Sequence, residues 1–190
     1  MEAIKKVQTG RIIKIVFISL LGTLLLTISA IVKIPFYPVP MTMQTFVVLF
    51  LGISLGPKIG LLTISLYLIE GIIGLPVFAN SPEKGIGLIY FTGPTMGYLI
   101  GFLVATYLAG KFKYSDVFQN NISAFIGNYL KLVLAVSFIY ILGLLWLGYL
   151  IGWDKPIFEL GAKPFLLAEG FKILIISLLA GKFSKIKKII

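Results

Sequence analysis

Few side chains in this sequence can do chemistry, and they fall in three short clusters. Toward the end, Lys163-Pro164-Phe165-Leu166-Leu167-Ala168-Glu169-Gly170-Phe171-Lys172 sets a carboxylate and an ammonium three residues apart. On a helix that spacing puts Glu169 and Lys172 on one face. At membrane depth such a pair is either a self-neutralising ion pair that holds helices together, or a charge presented to a polar ligand. The second cluster is Gly71–Asn80 followed by Phe91–Tyr98, which joins an amide (Asn80), a hydroxyl (Thr95) and aromatic rings (Phe78, Tyr98) to Gly and Pro punctuation. Pro94 suits the opening turn of a helix, and the loop of about fifteen residues between the two parts is long for a helical bundle, as a lid would be. The third is Pro35-Phe36-Tyr37-Pro38-Val39-Pro40-Met41-Thr42-Met43-Gln44-Thr45, whose prolines favour an extended linker and stop the preceding helix. Thr42 then stands where an N-cap belongs, and Gln44 enters the next helix. Its amide either satisfies a loop carbonyl or faces a ligand.

What is missing narrows the chemistry as much as what is present. The sequence has no Cys and no His, which excludes disulfides, zinc–thiolate sites and imidazole catalysis. It carries no H-E-x-x-H and no G-x-S-x-G, and no nucleophile stands beside the Glu–Lys pair, so an intramembrane enzyme finds little support. Without G-x-x-x-x-G-K-[ST] there is no place for a bound nucleotide. The net charge of +10 would suggest nucleic acid in a soluble protein. Here the basic residues sit beside apolar runs, and nucleic acid is not expected as a partner.

The elements that must position these clusters are membrane helices. Of 190 residues, 58% are hydrophobic and 13% charged, too few polar side chains to cover a soluble globule, and the mean hydropathy is +1.03. A lipid bilayer solves that problem. Apolar stretches recur at Arg11–Val32, Gln44–Leu55, Lys58–Ile73, Pro94–Phe112, Ile122–Ile151 and Pro164–Phe183. The first is too long for a signal-peptide core and reads as a retained helix. Leu55-Gly56-Pro57-Lys58 divides the second from the third, since proline is welcome in a helix's first turn and not within it; the two stretches are either short helices or one bent span, and the charge pattern favours two helices. Placing the N-terminus inside collects Lys5, Lys6, Arg11, Lys14, Lys58, Lys111, Lys113, Lys182, Lys185, Lys187 and Lys188 on the cytoplasmic side, 11 of the 17 basic residues. The positive-inside rule therefore predicts an all-α membrane protein, a six-transmembrane-helix bundle with both termini cytoplasmic. It forms one domain over 1–190, with Asn80–Gly87 and Lys113–Asn121 as loops. On the first helix Ser19, Thr23 and Thr27 recur at i+4 beside Gly22. That small-residue face either packs within the bundle or docks a partner membrane subunit.

At the three clusters the sequence resembles the biotin-specific substrate-binding (S) components of energy-coupling-factor (ECF) vitamin transporters. The resembling segments are PFYPVPMTMQT, GLPVFAN, FTGPTMGYLIGF and GAKPFLLAEGFK, in the family's order and spacing. The resemblance implies a multi-pass protein of a bacterial cell membrane that captures biotin, with no cofactor of its own. It also implies a transmembrane coupling subunit and two ATPases, supplied by other chains, which use the ATP. The substrate-binding set carried over is Glu169, Asn80, Lys172, Gln44, Tyr98, Thr95, Phe78 and Phe165. Glu169 and Asn80 would meet the ureido donors and carbonyl, the rings would wall the thiophane and tail, and Thr95, backbone N–H groups near Gly93–Thr95 or Lys172 would take the tail carboxylate. Two departures from the family pattern stand out. Glu169 occupies the usual aspartate position, and Met96 stands where glycine is common, narrowing the space beside the loop. They keep open an S component for another small vitamin, and a stand-alone biotin facilitator is a further alternative.

Overall fold

Long apolar runs free of internal proline become helices because, in lipid, every backbone N–H and C=O must find its partner within the segment. The computed structural model describes residues 2–188; the side chains of 2–8 and 119–121 lie outside the described residues, and with them the orienting lysines Lys5 and Lys6. The helices are α1 (Glu2–Ile31), α2 (Gln44–Ile72), α3 (Met96–Lys111), α4 (Val117–Ile151), α5 (Ile157–Gly161) and α6 (Leu166–Ile186). Among the described residues, four stretches are helical, long and apolar enough to cross a membrane: Thr9–Ile31, Gln44–Ile72, Ile122–Ile151 and Ile157–Ile186. The chain is a multi-pass membrane protein. Ile12, Phe17, Leu24 and Ile28 of α1 stand exposed, as lipid-facing residues should.

The division expected at Gly56-Pro57 is present. Gly56 takes φ 78, ψ 175 inside α2, a backbone conformation that side chains disfavour, and Pro57 opens the second arm. A straight helix would hold Gln44 and Tyr67 about 35 Å apart, yet the Gln44 amide donates to the Tyr67 hydroxyl at 2.7 Å. The chain therefore reverses at the break, and Gly60 of one arm lies against Gly52 of the other. Gly110, near the end of α3, abuts Pro57, so the elbow of α2 and the Lys111 end of α3 share one end of the bundle.

Close backbone approach fixes the rest of the packing. A Cβ on Gly97 would lie 2.3 Å from the Leu142 carbonyl oxygen, and one on Gly101 would lie 2.5 Å from the Ile139 Cα, so α3 beds directly on α4. Asn128 of α4 donates to the Ser115 carbonyl (2.8 Å) and the Ser177 carbonyl (3.2 Å), fastening α4 to α6 and to the α3–α4 turn. Two clusters form the core: one of Leu49, Ile53, Leu132, Ile176 and their neighbours, the other richer in aromatics around Tyr67, Phe78, Tyr90, Tyr98 and Phe165.

Several expectations need correction. The proline linker does not run extended; it doubles back, with β1 (Lys33–Ile34) antiparallel to β2 (Met41–Thr42). Met43, not Thr42, precedes α2, although the Thr42 hydroxyl accepts from the Gln44 N–H at 3.3 Å and so does part of a cap's work from one residue further out. The Lys113–Asn121 loop is shorter than expected, because Asp116 caps the Phe118 N–H and α4 starts at Val117. α3 begins at Met96, two residues beyond Pro94. The small-residue face of α1 packs within the bundle of this chain. Ser19 and Thr23 are buried, the Thr23 hydroxyl donates to Glu70 Oε1 at 2.9 Å, Thr27 bonds back to the Thr23 carbonyl, and Gly22 nests against Thr63 and Leu51. Small residues let α2 approach, which consumes that face.

Candidate functional site

Prolines and glycines at one end of the bundle interrupt the helices, and side chains from several interrupted segments converge there on a cavity. Its empty volume is about 540 Å³, part of it open to solvent. Gln44 and Thr45 of α2 line it, with Tyr98 and Phe102 of α3 and Ile139 and Tyr140 of α4. Glu169 of α6 lines it, and so does Phe165 immediately before that helix. The hairpin adds Val39–Thr42 and the lid adds Ala79, Tyr90 and Thr95. Most of this wall is apolar, with a few polar groups set into it.

Glu169 is the centre of the polar part. Its Oε1 accepts from Lys172 Nζ at 2.7 Å and from the Thr45 hydroxyl at 2.9 Å. Lys172 also donates to the Thr42 carbonyl at 2.6 Å and to Thr45 Oγ1 at 3.0 Å, so its three N–H bonds are all directed at named acceptors. Glu169 and Lys172 are both buried, at 4% and 6% exposure. Oε2 of Glu169 is buried and has no hydrogen-bond partner among the described residues. An unpaired buried acceptor costs roughly 1–3 kcal/mol, and more when charged. A donor brought by a ligand would remove that cost.

The aromatic wall is held in place by its own hydroxyls. Tyr98 donates to the Gly161 carbonyl at 2.8 Å, and its ring meets Tyr140 edge-on at 6.1 Å. Tyr140 in turn lies 6.5 Å from Phe165, ring to ring, and is near enough to Glu169 to feel its charge. In the lid, Phe78 fills the space over Gly71 between Tyr67, Tyr90 and Phe91. Burying such a ring contributes about 1.5–3 kcal/mol. Tyr67 donates to the Val77 carbonyl (2.9 Å) and Tyr90 to the Ala79 carbonyl (2.7 Å), pinning both sides of Phe78. Burial pushes the Tyr90 hydroxyl above the ordinary tyrosine range, which keeps it a donor. Trp146 donates to the Gly93 carbonyl at 2.8 Å and anchors the far end of the lid to α4.

Of the expected binding residues, the fold brings Gln44, Thr95, Tyr98, Phe165 and Glu169 together around the cavity. Phe78, Asn80 and Lys172 do not line it. Phe78 is a core residue of the lid, and Lys172 is directed at α2. Asn80, at φ 64, stands on the rim beside Ala79, and its Oδ1 accepts from Lys33 of the hairpin. Lys84 bonds the Pro38 carbonyl at 3.3 Å, a second tie between lid and hairpin. Met96 does not narrow the cavity; it faces an apolar groove on the outside of α3 and α4, against Trp146 and Tyr149. Gln44 spends its amide inside the protein, donating to Tyr67 and accepting from Thr42 at 3.3 Å. Sequence reasoning missed Tyr140 and Thr45. A tyrosine deep in the apolar run of α4 was an available signal, because a polar group there needs a partner or a task. Thr45 offered no comparable signal.

A sequence model described as the BioY family matches residues 3–188. A probable biotin transporter BioY of Pyrococcus horikoshii is 35% identical over 145 residues, covering 76% of this chain and 80% of that protein. The biotin transporter BioY of Thermotoga maritima is 32% identical over 165 residues, covering 87% and 92%. Among solved structures, the S-component for biotin from an ECF-type ABC transporter superposes with a TM-score of 0.72 over 93% of each chain. At 24% identity, that likeness speaks for the fold.

Proposed function

The chain belongs to the BioY family, and from that premise we propose that it captures biotin in the cavity beside Glu169 and delivers it for uptake across the cell membrane. Its relatives are described as transporters and not as enzymes. The observation that carries the proposal is the unpartnered Glu169 Oε2 at the wall of a mostly apolar cavity. The ureido ring of biotin offers two N–H donors, and one of them supplies the missing hydrogen bond. A ligand without that donor leaves the carboxylate oxygen unpaired, and this makes the site selective. Tyr98, Tyr140, Phe165 and Phe102 wall the thiophane ring and the aliphatic tail. With Lys172 committed to Glu169, Thr42 and Thr45, the Thr95 hydroxyl, which also meets Tyr90, is the donor assigned to the tail carboxylate. Asn80 joins the site when Lys33 releases its amide oxygen.

In the membrane we place six crossings: α1, the two arms of α2, α3, α4 and α6, with both termini in the cytoplasm. The charges support this arrangement. Lys58 at the α2 elbow, Lys111 and Lys113 at and just beyond the end of α3, and Lys182, Lys185 and Lys187 at the end of α6 gather at one end, while the hairpin, lid and cavity occupy the other. Uptake then needs a coupling subunit and two ATPases of the ECF kind. This chain supplies the ligand site and binds no cofactor.

The test is calorimetric titration of the purified protein with biotin, without ATP. Saturable binding that Glu169→Ala weakens at least tenfold is the expected result. Equal affinity in Glu169→Ala and wild type would remove the site assignment. Displacement of biotin by vitamins that lack a ureido ring would point to a different ligand.

A further inference from the structure

The Thr45 hydroxyl joins the carboxylate and the ammonium at the cavity wall. It donates its single proton to Glu169 Oε1 at 2.9 Å and accepts from Lys172 Nζ at 3.0 Å. Lys172 reaches the same Oε1 at 2.7 Å. Two donors therefore saturate one oxygen of the carboxylate from one side, and the other oxygen has none. The asymmetry has a consequence for orientation. The last torsion of a glutamate side chain is broad, so a carboxylate held at one point is free to tilt its plane. Held by two donors from different helices, it is not.

We propose that Thr45 is a positioning residue for ligand recognition: its hydroxyl fixes the rotation of the Glu169 carboxylate so that Oε2 faces the donor of the bound ligand. This rests on the biotin proposal above and adds to it the residue that sets selectivity for the ureido N–H. Thr45 and Glu169 are 124 positions apart in sequence and meet only because the first arm of α2 packs against α6. Removing the hydroxyl takes away the hold from α2 and leaves Lys172 of α6 on Oε1 with the Tyr140 side chain nearby, so the plane of the carboxylate is no longer fixed.

The experiment uses the full chain in lipid nanodiscs, with Thr45→Val and Thr45→Ala to delete the hydroxyl and Thr45→Ser to keep it. Affinities are measured for biotin and for an analogue methylated at one ureido nitrogen. Loss of the hydroxyl is expected to lower biotin affinity roughly 10–100-fold, with Thr45→Ser within about threefold of wild type. Biotin's preference over the methylated analogue should shrink by a similar factor, which a merely structural loss would not produce. Unchanged biotin affinity in both hydroxyl-less variants would overturn the proposal. So would a parallel loss of both ligands with the preference intact, or a failure of Thr45→Ser to behave as wild type. If Thr45→Val does not fold, the Ala and Ser variants supply the same comparison. Wild-type protein that binds no biotin refutes the biotin reading itself, a result separate from any effect of Thr45.

Discussion

Replacing Lys172 by methionine is expected to destabilise the protein severely, because the ammonium serves three acceptors in a buried place. The substitution keeps most of the apolar stem and deletes the bonds to Glu169 Oε1 (2.7 Å), the Thr42 carbonyl (2.6 Å) and Thr45 Oγ1 (3.0 Å). Taking away one partner of a buried ion pair costs about 3–5 kcal/mol, mostly from the charge left behind. Counting bonds points the same way: a charge-assisted bond is worth ~1.5–3 kcal/mol, and the half-buried Thr42 carbonyl loses its donor as well. For a chain of this size 1 kcal/mol moves the unfolding midpoint by ~2–4 °C, so the melting temperature should fall by roughly 6–20 °C. Thermal unfolding in nanodiscs, followed by the fluorescence of Trp146 and Trp153, measures this directly. The double variant Glu169→Gln/Lys172→Met removes both charges and should recover most of the loss. If Lys172→Met melts within about 2 °C of wild type, the pair is not buried and bonded as described. If the double variant melts as low as the single one, the uncompensated charge is not the cause.

Gly97→Val drives a side chain into the Leu142 carbonyl 2.3 Å from the new Cβ, and should lower the melting temperature sharply and separate α3 from α4; Gly127→Ala, with nothing within 4 Å, should leave it unchanged. Tyr98→Phe deletes the buried 2.8 Å bond to the Gly161 carbonyl and should cost about 1–3 kcal/mol of stability in the same unfolding assay, while the ring keeps its place in the cavity wall. The hydrogen bond from Lys185, aided by the Phe118 N–H, holds the Asp116 carboxyl below the usual aspartate range. A depressed carboxylate stabilises the fold above its unfolded value of about 3.9 and loses that contribution as pH falls through the lower folded value. Acid unfolding curves of wild type and Asp116→Asn should therefore converge below that range and separate above it.

Much of the architecture follows from local sequence. Apolar runs and the Gly56-Pro57 break depend on nearest neighbours along the chain, and they are written in the sequence directly. Gly56 forces a reversal because proline cannot continue the first arm and glycine tolerates the positive φ. The cavity was legible as clusters of polar and aromatic residues, not as a set of contacts. Lys172 and Asn80 illustrate the gap. Three-residue spacing places Lys172 on the face of Glu169, but only the approach of α2 turns its ammonium to Thr42 and Thr45 and away from the cavity. Asn80 belongs to a recognisable segment, yet the hairpin decides that its oxygen meets Lys33 on the rim.

The small-residue face of α1 shows the same division. Ser19, Gly22 and Thr23 announce close helix approach, and sequence cannot say whose helix arrives; the structure supplies α2 of the same chain. By itself the sequence determined that this is a membrane protein, where its helices break and which polar groups need partners, since those follow from solvation and backbone chemistry. Tertiary structure alone decided which partners they find. The pairing of Thr45 with Glu169 and the placing of Tyr140 beside it depend on distances between helices far apart in sequence, which no local pattern encodes.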